Sequence, residues 1–198
     1  MVGYLERLPT AGRAQQVDSI DMLNGYVQYG YNTLVILDVD ETIIATDIIN
    51  GKKQKVLVEA KTPRVIRKIR QDAPDARIIL LTKASKKDTK EKLKNAGLDP
   101  DMFDSIESAS GTKGASLKQY VDKNFQETRH ICFIDDTLEN LESVESACKD
   151  LGIHCNTFLF TGAEAMIERT DCFNYGMTPD ELHAFKRAQE AAFATYKR

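Results

Sequence analysis

The sequence predicts an α/β fold, a parallel sheet covered by helices on both faces. Three observations carry that prediction. Four apolar runs, at 33–37, 77–81, 130–134 and 156–160, do not alternate with polar residues, as expected of strands buried on both faces. Stretches with helical periodicity lie between the runs, so right-handed crossovers join the strands. Helix start and stop residues fall at the edges of those stretches.

Taken in order, residues of about 12–28 carry Val17, Ile20, Leu23 and Val27 at a spacing that suits a helix preceding the first strand. The run TLVIL (33–37) follows. Asn50-Gly51, between two apolar stretches, is a strong short hairpin signal, so a small two-stranded flap is expected directly after the first strand. Thr62 as cap and Pro63 at the first helical position open a helix with Val65, Ile66 and Ile69 on one face, ending near Ala73-Pro74. After RIILL (77–81) a helix spans about Ser85 to Ala96 and stops at Gly97, and a short strand fits near Ser105 to Ser108. The next helix begins near Lys113 and carries Leu117, Tyr120 and Val121. HICFI (130–134) precedes a helix from about Glu139 to Leu151, closed by Gly152, and NTFLF (156–160) follows. A final helix over about 179–197 starts with the capping box Thr178 and Glu181 and with Pro179, and offers Leu182, Phe185, Ala192 and Tyr196 for packing. No internal repeat or Pro-rich linker interrupts the chain. Its 198 residues suit a single domain over 1–198, with the core at about 31–161.

Composition narrows the function classes. With 42% hydrophobic and 29% charged residues the chain is an ordinary globular one, and a formal charge of −3 exerts no global pull toward nucleic acid or anionic lipid. The N-terminal segment lacks the apolar centre of a secretory signal, and no run approaches the roughly 18 apolar residues of a membrane helix. A cytoplasmic monomer is the default expectation, with export lacking a cleaved signal left open. Cys132, Cys148, Cys155 and Cys172 form no C-x-x-C pair, which argues against structural zinc and for reduced thiols. His130, His154 and His183 lack metal-ligand spacing and read as structural.

In an open parallel sheet, ligands bind beyond the carboxyl ends of the strands, so the residues that follow each strand matter most. Asp38, Asp40, Glu41 and Thr42 follow the first run; Thr82 and Lys83 follow the second; Asp135, Asp136 and Thr137 follow the third; Lys113 opens a helix on the same side. Alone, each has a bland reading: an Asp-x-Asp turn, a Thr cap, a solvated Lys. Together they gather four aspartates, and like charges at 4 Å repel by roughly 4 kcal/mol at an effective dielectric of 20. A divalent cation resolves the repulsion, and with no His or Cys in the cluster the oxygen donors point to Mg²⁺. Lys83, Lys86 and Lys87, with Lys52, Lys53 and Lys55, read as surface charge that also forms a basic rim near the mouth.

The set Asp38-Val39-Asp40-Glu41-Thr42, Thr82 in IILLTKAS, Lys113 in GTKGASLKQY and ICFIDDTLEN resembles, in order, the four motifs of the haloacid dehalogenase superfamily of phosphohydrolases over about residues 31–161. The resemblance implies a Rossmann-like sheet and a phosphatase in which Asp38 is the nucleophile and forms an aspartyl phosphate. It implies that Asp40 is the acid and base, with its backbone carbonyl on Mg²⁺. Thr82 and Lys113 would hold the phosphoryl oxygens, with Thr42 and Lys83 alongside, a division of labour that suits phosphoryl transfer. The metal set is Asp38, Asp40, Asp136 and Asp135. In the fourth motif Asp136 aligns as the ligand with Asp135 as helper, and Asn140 stands where a second acid often occurs. Lys118 competes with Lys113 for the third motif.

Between Asp38 and Thr82 the hairpin and one helix fill the chain, and between Thr82 and Lys113 one helix and a short strand do, so neither insertion point holds a large cap. An open site suits a phosphate displayed on a macromolecule, and a phosphoprotein is the expected partner; a small-molecule or nucleic-acid-end phosphatase is the alternative. Two readings of another class stand beside these. A signalling receiver domain has its lysine after all its acids, unlike Lys113, and a catalytically silent phospho-ligand binding module would not need the full set of residues.

Overall fold

A computed structural model describes residues 14–196. Its sheet has six strands, all parallel where they pair: β1 (Gln15–Val17), β2 (Thr33–Leu37), β5 (Arg77–Thr82), β6 (Ser105–Ser108), β7 (His130–Asp135) and β8 (His154–Phe160), in the order β1-β8-β7-β2-β5-β6. The expected Rossmann-like α/β arrangement is therefore the one observed. Between β2 and β5 lie the antiparallel hairpin β3 (Ile44–Ile49) and β4 (Lys52–Leu57) and helix α1 (Thr62–Asp72). Asn50 and Gly51 turn the hairpin with φ of +52° and +71°, the left-handed pair that a two-residue turn needs.

The central strand β2 is wholly buried, and its alternation sorts side chains onto two faces. Val35 and Leu37 join Ile78, Leu80, Cys132 and Ile134 in one core with α1; Leu34 and Ile36 join Ile79, Leu81, Ile131 and Phe133 in the other. The second core is covered by α3 (Lys113–Asn124) and α4 (Leu138–Leu151), while α2 (Lys86–Asn95) contributes Leu93 to the first. Helices α3 and α4 touch closely at Gly114, where an added Cβ would stand 2.0 Å from the carbonyl oxygen of Ser143. That contact fixes the first turn of α3, and with it Lys113.

Four expectations change. The N-terminal segment, of which residues 12 and 13 lie outside the described residues, is no α-helix: β1 adds an edge strand, and Ile20–Gly25 forms a 3-10 turn capped by Ser19. Ile20, Leu23 and Val27 still reach the core, which is why their spacing resembled a helix. Thr62 does not cap α1; it is the first helical residue, its hydroxyl donating to the Glu59 carbonyl at 2.7 Å, with Lys61 at the cap position. A further helix, α5 (Glu164–Tyr175), precedes α6 (Pro179–Tyr196). In α6 the capping box forms, but Leu182 is buried whereas Phe185 is 37% exposed and Ala192 lies outward; the Tyr196 side chain is outside the described residues.

Helix α5 holds the hairpin. Arg169 donates two hydrogen bonds to Asp47, each 2.9 Å, and the Thr170 hydroxyl donates to the Thr46 carbonyl at 2.9 Å. Among the described residues no helix is long and apolar enough to cross a membrane.

Candidate functional site

The carboxyl ends of β2, β5 and β7 open into one cleft of about 250 Å³, lined among others by Asp38, Asp40, Thr82, Lys83, Lys113 and Asp136. Strand pairing sets this convergence: Leu37 lies in register with both Leu80 and Ile134, so residues just beyond these three positions share one edge. A larger groove of about 630 Å³ lies between the hairpin and α5, lined mostly by apolar groups with Glu168, Arg169 and Cys172 among them, whereas the clustered carboxylates and the buried lysine are in the smaller cleft.

Lys113 sits at the centre of the site. Its side chain is 1% exposed, and its ammonium donates to Asp38 and, at 2.6 Å, to Asp135. A lysine this deep needs such partners, because desolvating an unpaired ammonium costs several kcal/mol. The capping hydroxyl of Thr112 accepts from the Ala115 amide and starts α3 at this point. Lys118 lies on the surface, paired with Asp150.

Asp135 is wholly buried and fully engaged: beyond Lys113, it accepts from the Thr137 amide at 2.9 Å and from the Asn140 side-chain amide at 3.0 Å. Asn140 thus braces Asp135 by a neutral hydrogen bond. Asp136 is half-buried and faces the cleft with a freer carboxylate. Each of Asp38, Asp135 and Asp136 offers an oxygen within 4.8 Å of the others, a cluster able to hold a metal ion. Burial pushes the Asp38 carboxyl up to about 7, with the Asp135 and Asp136 charges adding to the rise and Lys113 opposing it. Burial and the Asp135 charge likewise raise Asp136.

The turn after Asp38 is tight. The Asp38 amide donates to Ile134, the amides of Ile43 and Ile44 both donate to Val39, and Glu41 adopts a left-handed φ of +63°. This turn folds Thr42 inward, 1% exposed and away from the cleft lining, where its hydroxyl finds no hydrogen-bond partner among the described residues. Thr82 is 2% exposed at the cleft, its hydroxyl accepting from the Ala84 amide at 3.1 Å, and Lys83 is exposed at the rim.

Asp40 stands apart from the acidic cluster. Lys92 of α2 donates to both its carboxylate oxygens, at 2.8 and 2.7 Å, and Lys55 of the hairpin lies 3.8 Å away. The sequence reading did not identify Lys92. Nothing in the sequence sets it apart from the other lysines of α2; what marks it is its partner, Asp40, 52 positions earlier in the chain.

Comparisons with known proteins return distant similarities. A family described as "Protein of unknown function (DUF2608)" matches residues 102–172. No curated protein matches the chain in sequence. Among solved structures, a haloacid dehalogenase-like hydrolase from Streptococcus pneumoniae is 14% identical with a TM-score of 0.40, covering 66% of this chain and 60% of its own. The N-terminal part of a Bacteroides fragilis protein, containing a phosphatase domain complexed with Mg, is 16% identical with a TM-score of 0.45 over 79% of this chain and 43% of that one. The Legionella pneumophila effector Ceg4 is 11% identical with a TM-score of 0.46, over 83% and 97% respectively. The chain thus spans less than two thirds of the first two.

Proposed function

We propose that this protein is a Mg²⁺-dependent phosphomonoesterase that works through an aspartyl phosphate on Asp38, with phosphoproteins as substrates. The observation that carries the reading is the buried Lys113, bonded to Asp38 and Asp135 beside Asp136 and Thr82 in one cleft. The site fits a hard cation: its donors are all oxygen, and three clustered carboxylates face one buried ammonium among the described residues. Asp38 and Asp136 would hold the ion with the Asp40 carbonyl, and Asp135 would orient Lys113. When bound, Mg²⁺ supplies the positive charge that keeps Asp38 ionised and offsets the charge of the phosphoryl group.

The steps follow from the residues. An Asp38 carboxylate oxygen attacks phosphorus while the bond to the leaving oxygen breaks and Asp40 gives that oxygen a proton. Water then attacks the phosphorus of the acyl phosphate, Asp40 takes a proton from it, and inorganic phosphate leaves with the Asp38 carboxylate restored. Lys113 and the Thr82 hydroxyl are placed to bind the phosphoryl oxygens throughout. The mouth is bounded by the hairpin and α2 rather than by an inserted domain among the described residues, which favours a phosphate presented by a protein. The test is hydrolysis of a chromogenic phosphate ester with Mg²⁺, followed by phosphopeptides, phosphosugars and nucleotides. Turnover that needs the metal and disappears in Asp38→Asn is expected; equal turnover in that variant removes the assignment.

A further inference from the structure

We infer that the site selects phosphopeptides with acidic residues beside the phosphorylated one, and that Lys92 and Lys55 make the selection. The inference rests on the phosphatase reading and extends it to the leaving group. Asp40 is the residue that meets the leaving oxygen, so whatever flanks Asp40 also meets the peptide around that oxygen. Two ammonium groups flank it, from two different elements. Lys92 of α2 occupies both Asp40 oxygens at 2.7 and 2.8 Å, and Lys55 of β4 approaches one of them at 3.8 Å.

That arrangement conflicts with the work assigned to Asp40. An oxygen of Asp40 must exchange a proton with the leaving group and then with water, yet both oxygens already accept from Lys92. A substrate with a neutral surround must compete with Lys92 for the same carboxylate. A peptide carboxylate arriving at the rim gives Lys92 and Lys55 another partner and releases an Asp40 oxygen for the reaction. The side chains of Lys92, Asp40 and Lys55 are 29, 39 and 40% exposed, so the lysines reach solvent and can swing on their flexible stems without unburying a charge. Arg169 and Thr170 anchor β3 and so hold the hairpin that carries Lys55 in place beside the cleft.

The experiment compares two phosphopeptides that differ only in flanking residues, acidic in one and neutral in the other, with the full chain in Mg²⁺. The expected ratio of kcat/KM is on the order of fivefold in favour of the acidic peptide, as two half-exposed ion pairs allow, shrinking as salt screens them. In Lys92→Gln and Lys55→Gln the ratio falls toward one, and in Lys92→Arg it is retained. A general folding or positioning defect lowers both substrates together and leaves the ratio unchanged, so the ratio reports the selection itself. Binding of the two peptides to Asp38→Asn, measured by fluorescence anisotropy, gives the same preference without turnover. A wild-type ratio of one, or a ratio that survives the Lys55→Gln/Lys92→Gln double variant, overturns the inference while leaving the phosphatase intact. Absence of hydrolysis of every ester, the chromogenic one included, overturns both.

Discussion

Replacing Lys113 with Met keeps the volume of the side chain and removes its charge. In the intact protein this ammonium, 1% exposed, bonds Asp38 and Asp135 within a cluster of three carboxylates. Removing one member of a buried pair leaves charge uncompensated and typically costs about 3–5 kcal/mol, a large share of the roughly 5–15 kcal/mol that stabilises a domain. The loss depends on pH. Asp38 already holds its proton up to about 7, far above the ordinary 3.8, and without Lys113 that tendency grows. A carboxyl whose folded value is raised adds stability in acid and loses it as pH climbs through the folded value. The variant is therefore weakest at pH 7.5 with chelator and recovers toward pH 5. Mg²⁺ also restores it, by about 2.7 kcal/mol at a concentration 100-fold above its dissociation constant, and by more than it stabilises the wild type, because the variant site is more negative. Urea unfolding at both pH values, with and without Mg²⁺, measures all of this. If Lys113→Met matches the wild type in chelator at pH 7.5, the cluster is not held by this charge and the electrostatic reasoning is wrong.

Three further outcomes are expected. Gly114→Ala places a methyl group against the Ser143 backbone, and thermal unfolding should show a loss of about 1–3 kcal/mol from overpacking, with the proposed phosphatase activity reduced because Lys113 is adjacent. Arg169→Ala removes the two hydrogen bonds that the half-exposed Arg169 donates to Asp47 and should cost under about 1 kcal/mol in global stability. Hydrogen exchange should nonetheless quicken in β3 and β4 while the sheet is unaffected. Buried His130 lies between Thr33 and Asn156, and burial holds its protonation below the ordinary 6.5. Its neutral form adds stability above 6.5 that is lost as pH falls toward the folded value, so the decline in urea midpoint across that window should flatten in His130→Gln.

The parts of the fold readable from sequence are those governed by local rules. Short apolar runs without alternation, set between helical stretches, read as strands buried on both faces, and Asn50-Gly51 could accept positive φ with little strain. Thr178 and Glu181 announce a helix start by reciprocal bonding, and the side chains at one sheet edge follow once the strands are parallel. What escaped depends on distant partners. Val17, Ile20, Leu23 and Val27 bury the same surface as a strand plus a 3-10 turn as they would in a helix, so periodicity could not separate the two. Helix α5 has no fully buried residue and therefore no apolar stripe to mark it. The bonds from Lys92 to Asp40 and from Arg169 to Asp47 join residues far apart in the chain, and no spacing rule reaches them.

The central claim is that the Asp38 side chain carries the phosphoryl group during turnover. Quenching the working protein with substrate, reducing with borohydride and sequencing the peptides by mass spectrometry tests it directly, because reduction turns an aspartyl phosphate into homoserine. Homoserine at position 38, absent without Mg²⁺ or substrate, is the predicted result. Steady release of phosphate with position 38 unmodified, or with the label on another residue, contradicts the account.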